Sequence, residues 1–72
     1  MLGLNPSAEP RYSIMIFQEG RRIALHGEDD SLRARLLFDY AVKRYEQAGA
    51  DRRIELYDGS DLVELWSRGE AG

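Results

Sequence analysis

The chain has 72 residues, a formal charge of −3 and no cysteine. That length holds one small domain whose core alone supplies only about 3–5 kcal/mol, and the missing cysteines exclude a disulfide framework or a thiolate metal site. The negative balance weighs against general nucleic-acid binding, which needs clustered cations to displace counterions, although all but Lys43 of the ten basic residues are arginine.

Residues 1–10 carry Gly3, Pro6, Ser7 and Pro10 without periodicity and read as a flexible arm. Met1–Pro6 lacks the basic stretch of a secretory signal. The first element follows as a β-hairpin, Ile14–Leu25, with Glu19-Gly20 as its turn. Next comes a helix that begins at Asp30 or Ser31, both good N-caps, after the acidic run Glu28-Asp29-Asp30. It runs to Gln47 or Ala48 and stops at Gly49. A second hairpin, Ile54–Leu65, turns at Gly59-Ser60 and lies over the first without a gap. Residues 67–72 read as a flexible tail. The longest apolar run, Ile14–Phe17, falls far short of the roughly 20 residues of a membrane helix. The expectation is a cytoplasmic protein with no membrane partner.

Regular two-residue turns place Ile16 opposite Ile23 and Ile14 opposite Leu25. In the second hairpin they place Leu56 opposite Val63 and Ile54 opposite Leu65. All these pairs are aliphatic, which defines one sheet face for the helix to cover. On the helix, Ala34, Leu37, Phe38, Ala41, Tyr45 and Ala48 share a stripe about 100° wide. The fold class predicted is α+β: a two-layer ββαββ domain over residues 11–66, two hairpins forming a four-stranded sheet with one helix on one face. The pattern leaves strand order open.

Two surfaces then carry more apolar area than a monomer needs. Leu32, Leu36 and Tyr40 form an i, i+4, i+8 row opposite the core stripe, with Lys43 beside it. The other sheet face receives Met15, Phe17, Arg22, Ala24 and His26 from the first hairpin. From the second it receives Arg53, Glu55, Tyr57, Leu62, Glu64 and Trp66. Phe17 falls opposite Arg22 and Trp66 opposite Arg53, giving each hairpin an aromatic–arginine pair. Glu55 falls opposite Glu64, which reads either as two solvated carboxylates or as an acidic spot for a partner's cation.

No catalytic constellation accompanies these surfaces. A paired-carboxylate acid–base site lacks a nucleophile and any shelter from water. His26-Gly27-Glu28-Asp29-Asp30 lacks the ligand spacing of a calcium loop and the nitrogens of a zinc site, so neither metal nor cofactor is expected. The favoured reading is a non-catalytic protein-interaction module, an adaptor, regulator or inhibitor, acting as a homodimer. Its partner-binding residues would be Leu32, Leu36, Tyr40, Lys43, Phe17, Tyr57, Glu55, Glu64 and Trp66. The alternative is a single-stranded nucleic-acid binder that stacks bases on Phe17, Tyr57 and Trp66 and contacts phosphates through Arg11, Arg21, Arg22, Arg52 and Arg53. The glutamates in the middle of that platform disfavour it.

Overall fold

The computed structural model describes residues 10–69. Residues 1–9 of the expected arm over 1–10 and the end of the expected tail, 70–72, lie outside them. Four strands and a helix follow in the order β1 (Tyr12–Gln18), β2 (Arg21–Glu28), α1 (Ser31–Ala48), β3 (Arg52–Asp58) and β4 (Asp61–Arg68). The strands form one antiparallel sheet in the order β2-β1-β3-β4. This is the expected ββαββ arrangement, with β4 extending past Trp66 to Arg68.

Local chemistry accounts for the boundaries. Glu19 and Gly20 both take positive φ, 53° and 78°, as a type I′ turn demands. The second turn has φ 63° at Gly59, matching the first central position of type II′. Asp30 caps the helix by accepting from the Arg33 backbone N–H at 3.0 Å, and Gly49 ends it in the left-handed conformation.

The strand order explains where the core lies. A helix about 10 Å across covers two strands about 4.8 Å apart, and the inner pair, β1 and β3, lies beneath it. Ile14, Ile54 and Leu56 are buried there against Ala34, Phe38 and Ala41. Leu37, Val42, Tyr45 and Trp66 pack half-buried around them. Ala48, expected in the core stripe, is exposed because the helix has by then passed the last core contact.

The hairpin registers differ from the expected ones. Phe17 pairs with Arg22 as predicted, but Ile16 then pairs with Ala24, Met15 with Leu25 and Ile14 with His26. Ile23 is therefore the extra residue of a β-bulge. The second hairpin repeats this: Tyr57 pairs with Leu62, then Leu56 with Glu64, Glu55 with Leu65 and Ile54 with Trp66, leaving Val63 extra. Each bulge slips the register by one and exchanges the faces beyond it. Leu25 and Leu65 thus move to the open face, while Ala24, His26, Glu64 and Trp66 move to the helix face.

The two bulges occupy equivalent places in the repeat. The hairpins meet with Ile14 paired to Leu56 and Ile16 to Ile54, symmetrically about the Met15–Glu55 pair. A local two-fold axis normal to the sheet therefore relates the strands of one hairpin to those of the other, and the helix and the turn types depart from it.

Candidate functional site

The face away from the helix is built from three rows that run across the four strands. The first is Arg22, Phe17, Arg53 and Ser67; the second is Leu25, Met15, Glu55 and Leu65; the third is Gly27, Ser13, Tyr57 and Leu62. Leu25, Leu62 and Leu65 are each about half exposed, at 54%, 51% and 48%. Met15, Phe17 and Tyr57 are half-buried.

A closed polar cluster holds the centre. The Arg53 guanidinium lies 4.3 Å from the Phe17 ring centroid, and its Nε sits 2.9 Å from Glu55 Oε2. That pair is close in charge but poorly aligned as a hydrogen bond, since Nε finds no acceptor with good geometry. Glu55 Oε1 accepts from the Tyr57 hydroxyl at 2.9 Å. The bond to the carboxylate, followed by partial desolvation and the nearby negative charge, raises the Tyr57 pKa above its ordinary value. One cation and one anion are thus paired in charge, with the phenol donating to the anion, while Arg53 Nε keeps no aligned acceptor.

Pro10 enters this face at its edge. The space a side chain would need at Gly27 is filled by the Pro10 ring. Only glycine on β2 permits that close approach, which brings the chain entering β1 to the rim beside Ser13 and Leu25. Below it, Arg11 binds Asp58 at 2.9 Å, which lowers the Asp58 pKa, chiefly through the hydrogen bond.

Of the residues expected to form this surface, the structure brings together Phe17, Glu55 and Tyr57. It does not bring Trp66 or Glu64. Trp66 packs at the core on the helix face, and Glu64 pairs there with Arg35 at 3.2 Å. Glu55 and Glu64 are therefore on opposite faces, and Trp66 lies opposite Ile54 instead of Arg53. His26 lies beside Leu37, Tyr40 and Arg44 in an open trough of about 210 Å³ between α1 and β2. Leu25 and Leu65 are the surface residues that sequence reasoning missed. Their alternation with His26 and Glu64 concealed them, and a bulge leaves little trace in a hydrophobic pattern.

The expected helix row is exposed. Leu32, Leu36 and Tyr40 are exposed at 65%, 57% and 64% along the outer side of α1, with Lys43 exposed beside them. Among the described residues, no three or more His, Cys, Asp or Glu side chains gather in a way that could hold a metal ion. No described helix is long and apolar enough to cross a membrane. Comparison with known protein families, curated proteins and solved structures returns no match.

Proposed function

We propose that the chain is a small non-catalytic protein-interaction module, an adaptor, regulator or inhibitor. It docks through its open sheet face and carries a second contact surface on the Leu32/Leu36/Tyr40 row. The observation that carries this reading is the make-up of the open face. Half-exposed leucines surround a polar cluster whose charges already satisfy one another, so a partner can cover the face without stranding an ion. The same closure argues against catalysis: Arg53, Glu55 and Tyr57 are committed to each other, and a flat sheet does little to exclude water from a substrate. A cytoplasmic setting suits the cysteine-free composition.

The nucleic-acid reading loses support from the same geometry. With Trp66 beneath the helix and Phe17 covered by Arg53, two of its three stacking rings are engaged elsewhere.

The test is capture from cell extract on the immobilised chain, compared with Leu65→Glu on the sheet face and Leu36→Asp on the helix row. At least one variant should lose a protein that the parent retains. An identical bound set for all three would refute the reading. So would retention of mixed oligonucleotides that falls steeply with salt, as phosphate contacts require.

A further inference from the structure

The open face is complementary to itself in one orientation. Resting on the docking reading above, we propose that its occupant is a second copy of the chain. The two sheets stack about a two-fold axis that runs parallel to the strands, between β1 and β3. This operation sets β1 over β3 of the second copy and β2 over its β4, row upon matching row.

The consequences follow from the three rows. Phe17 faces Arg53 of the second copy, so two rings and two guanidinium groups interleave at the centre of the first row. Leu25 faces Leu65, an aliphatic contact made twice. Tyr57 faces Ser13, and Leu62 faces Gly27 with its Pro10 cover, so large side chains meet small ones. Arg22 faces Ser67, and Met15 faces Glu55, whose carboxylate is already held by Arg53 and Tyr57. No like charges face each other. The other in-plane axis, across the strands, would set Glu55 directly on Glu55 and Met15 on Met15, bringing two carboxylates together at the centre of the interface. Charge therefore selects the axis along the strands.

The size of the face and the smallness of the core favour a second copy. Only Ile14, Ala34, Phe38, Ala41, Ile54 and Leu56 are buried hydrophobics among the described residues, and two of them are alanine. A core of that size gains from a second layer. Four strands about 4.8 Å apart, each with about six residues at about 3.3 Å, present roughly 400 Å² in projection. Stacking two corrugated faces of that extent removes on the order of 1,000 Å², at the lower end for a specific pair. The pair is thus a dimer with α/β/β/α layering. Both helix rows face outward, free for a further partner.

The cysteine-free chain makes the orientation measurable. Leu25→Cys and Leu65→Cys are prepared separately, mixed and treated with a short bis-maleimide, because facing residues of stacked sheets about 10 Å apart are too distant for a direct disulfide. The proposal expects a bis-maleimide link between the two variants in the mixture. It expects little in either alone, because Leu25 and its own copy stand about three strand spacings, or about 14 Å, apart. Sedimentation of the unmodified full chain should show a concentration-dependent dimer. Leu65→Glu should raise the dissociation constant by on the order of tenfold or more, since it buries an unpaired charge twice per dimer, while the helical circular dichroism is retained. A monomer at high micromolar concentration overturns the proposal, and so does efficient linking of Leu25→Cys to itself. A monomer would leave the docking reading standing with a different occupant, whereas unchanged capture by Leu65→Glu and Leu36→Asp would remove that reading whatever the oligomeric state.

Discussion

Deleting Val63 separates the observed fold from the one that simple strand alternation predicts. Tyr57–Leu62 and Leu56–Glu64 are consecutive pairs with Val63 between them on β4 only. Removing it keeps the turn, both flanking pairs, and Trp66 and Glu64 on the helix face. What is lost is the packing of a side chain already 49% exposed. Half of the roughly 1.5–3 kcal/mol for full aliphatic burial gives about 1 kcal/mol, offset in part by a more regular ladder. In a regular register the same deletion would throw every residue beyond Leu62 to the opposite face. The cost would then be several core contacts, comparable to the whole stability of so small a domain, about 3–5 kcal/mol. Urea unfolding at one fixed protein concentration, followed by far-ultraviolet circular dichroism and Trp66 fluorescence, measures both quantities. The concentration must be held because self-association adds to apparent stability. The deletion variant should unfold cooperatively, with the emission of a half-buried tryptophan before the transition. An unfolded variant, or native emission already at the wavelength of a solvated indole, would refute the bulge.

Three adjacent helix positions should report the helix rotation. Phe38→Ala should cost about 3–5 kcal/mol and Leu37→Ala about 1–2, while Leu36→Ala should leave the unfolding midpoint nearly unchanged; equal costs at Leu36 and Phe38 would mean the helix is turned otherwise. Asp30→Ala should remove about 1 kcal/mol by freeing the Arg33 N–H, read from the same denaturation curves, with no change expected if the cap is not formed. Tyr57 should ionise later than an ordinary tyrosine in an alkaline absorbance titration, and Glu55→Ala should abolish the delay. Because its folded pKa is raised, Tyr57 stabilises the fold fully below the ordinary tyrosine range, and that contribution fades as pH climbs through the raised value. A titration in which Tyr57→Phe removes no late step would contradict the Glu55 bond.

The parts of the fold legible in the sequence were those set by local chemistry. Asp30, Gly49 and the two turn glycines each satisfy a backbone requirement that holds whatever surrounds it, and the helix stripe follows from the angle between successive residues. Strand order was not legible, because a helix of this length can return the chain to several positions in the sheet. The faces of β1 and β3 were legible, since no bulge interrupts them. Those of β2 and β4 were not, and the reason lies in the repeat. Ile23 and Leu25 look like partners for Ile16 and Ile14, and Val63 and Leu65 look the same for Leu56 and Ile54, so a regular register is attractive in both hairpins. The agreement of the two hairpins added no independent support, because equivalent sequences carry an equivalent bulge.

The helix width decides which register wins. Had β2 and β4 lain beneath α1, the regular register would have buried Ile23, Leu25, Val63 and Leu65, and a bulge would have turned Leu25 and Leu65 away at a large cost. The outer strands lie beyond the helix, so their inward positions can hold His26 near Glu28, at 3.8 Å, and Glu64 against Arg35, with the His26, Glu64 and Arg35 side chains still well exposed. Trp66 still reaches the core from β4 because its ring is long enough to lean under α1. The leucines displaced by the bulges gather instead on the open face, one from each hairpin, across the local two-fold axis. A single-layer cover on a four-strand sheet thus trades edge burial beneath the helix for an apolar surface on the far side. The same bulges that made the sequence misleading are what give that surface its Leu25 and Leu65 corners.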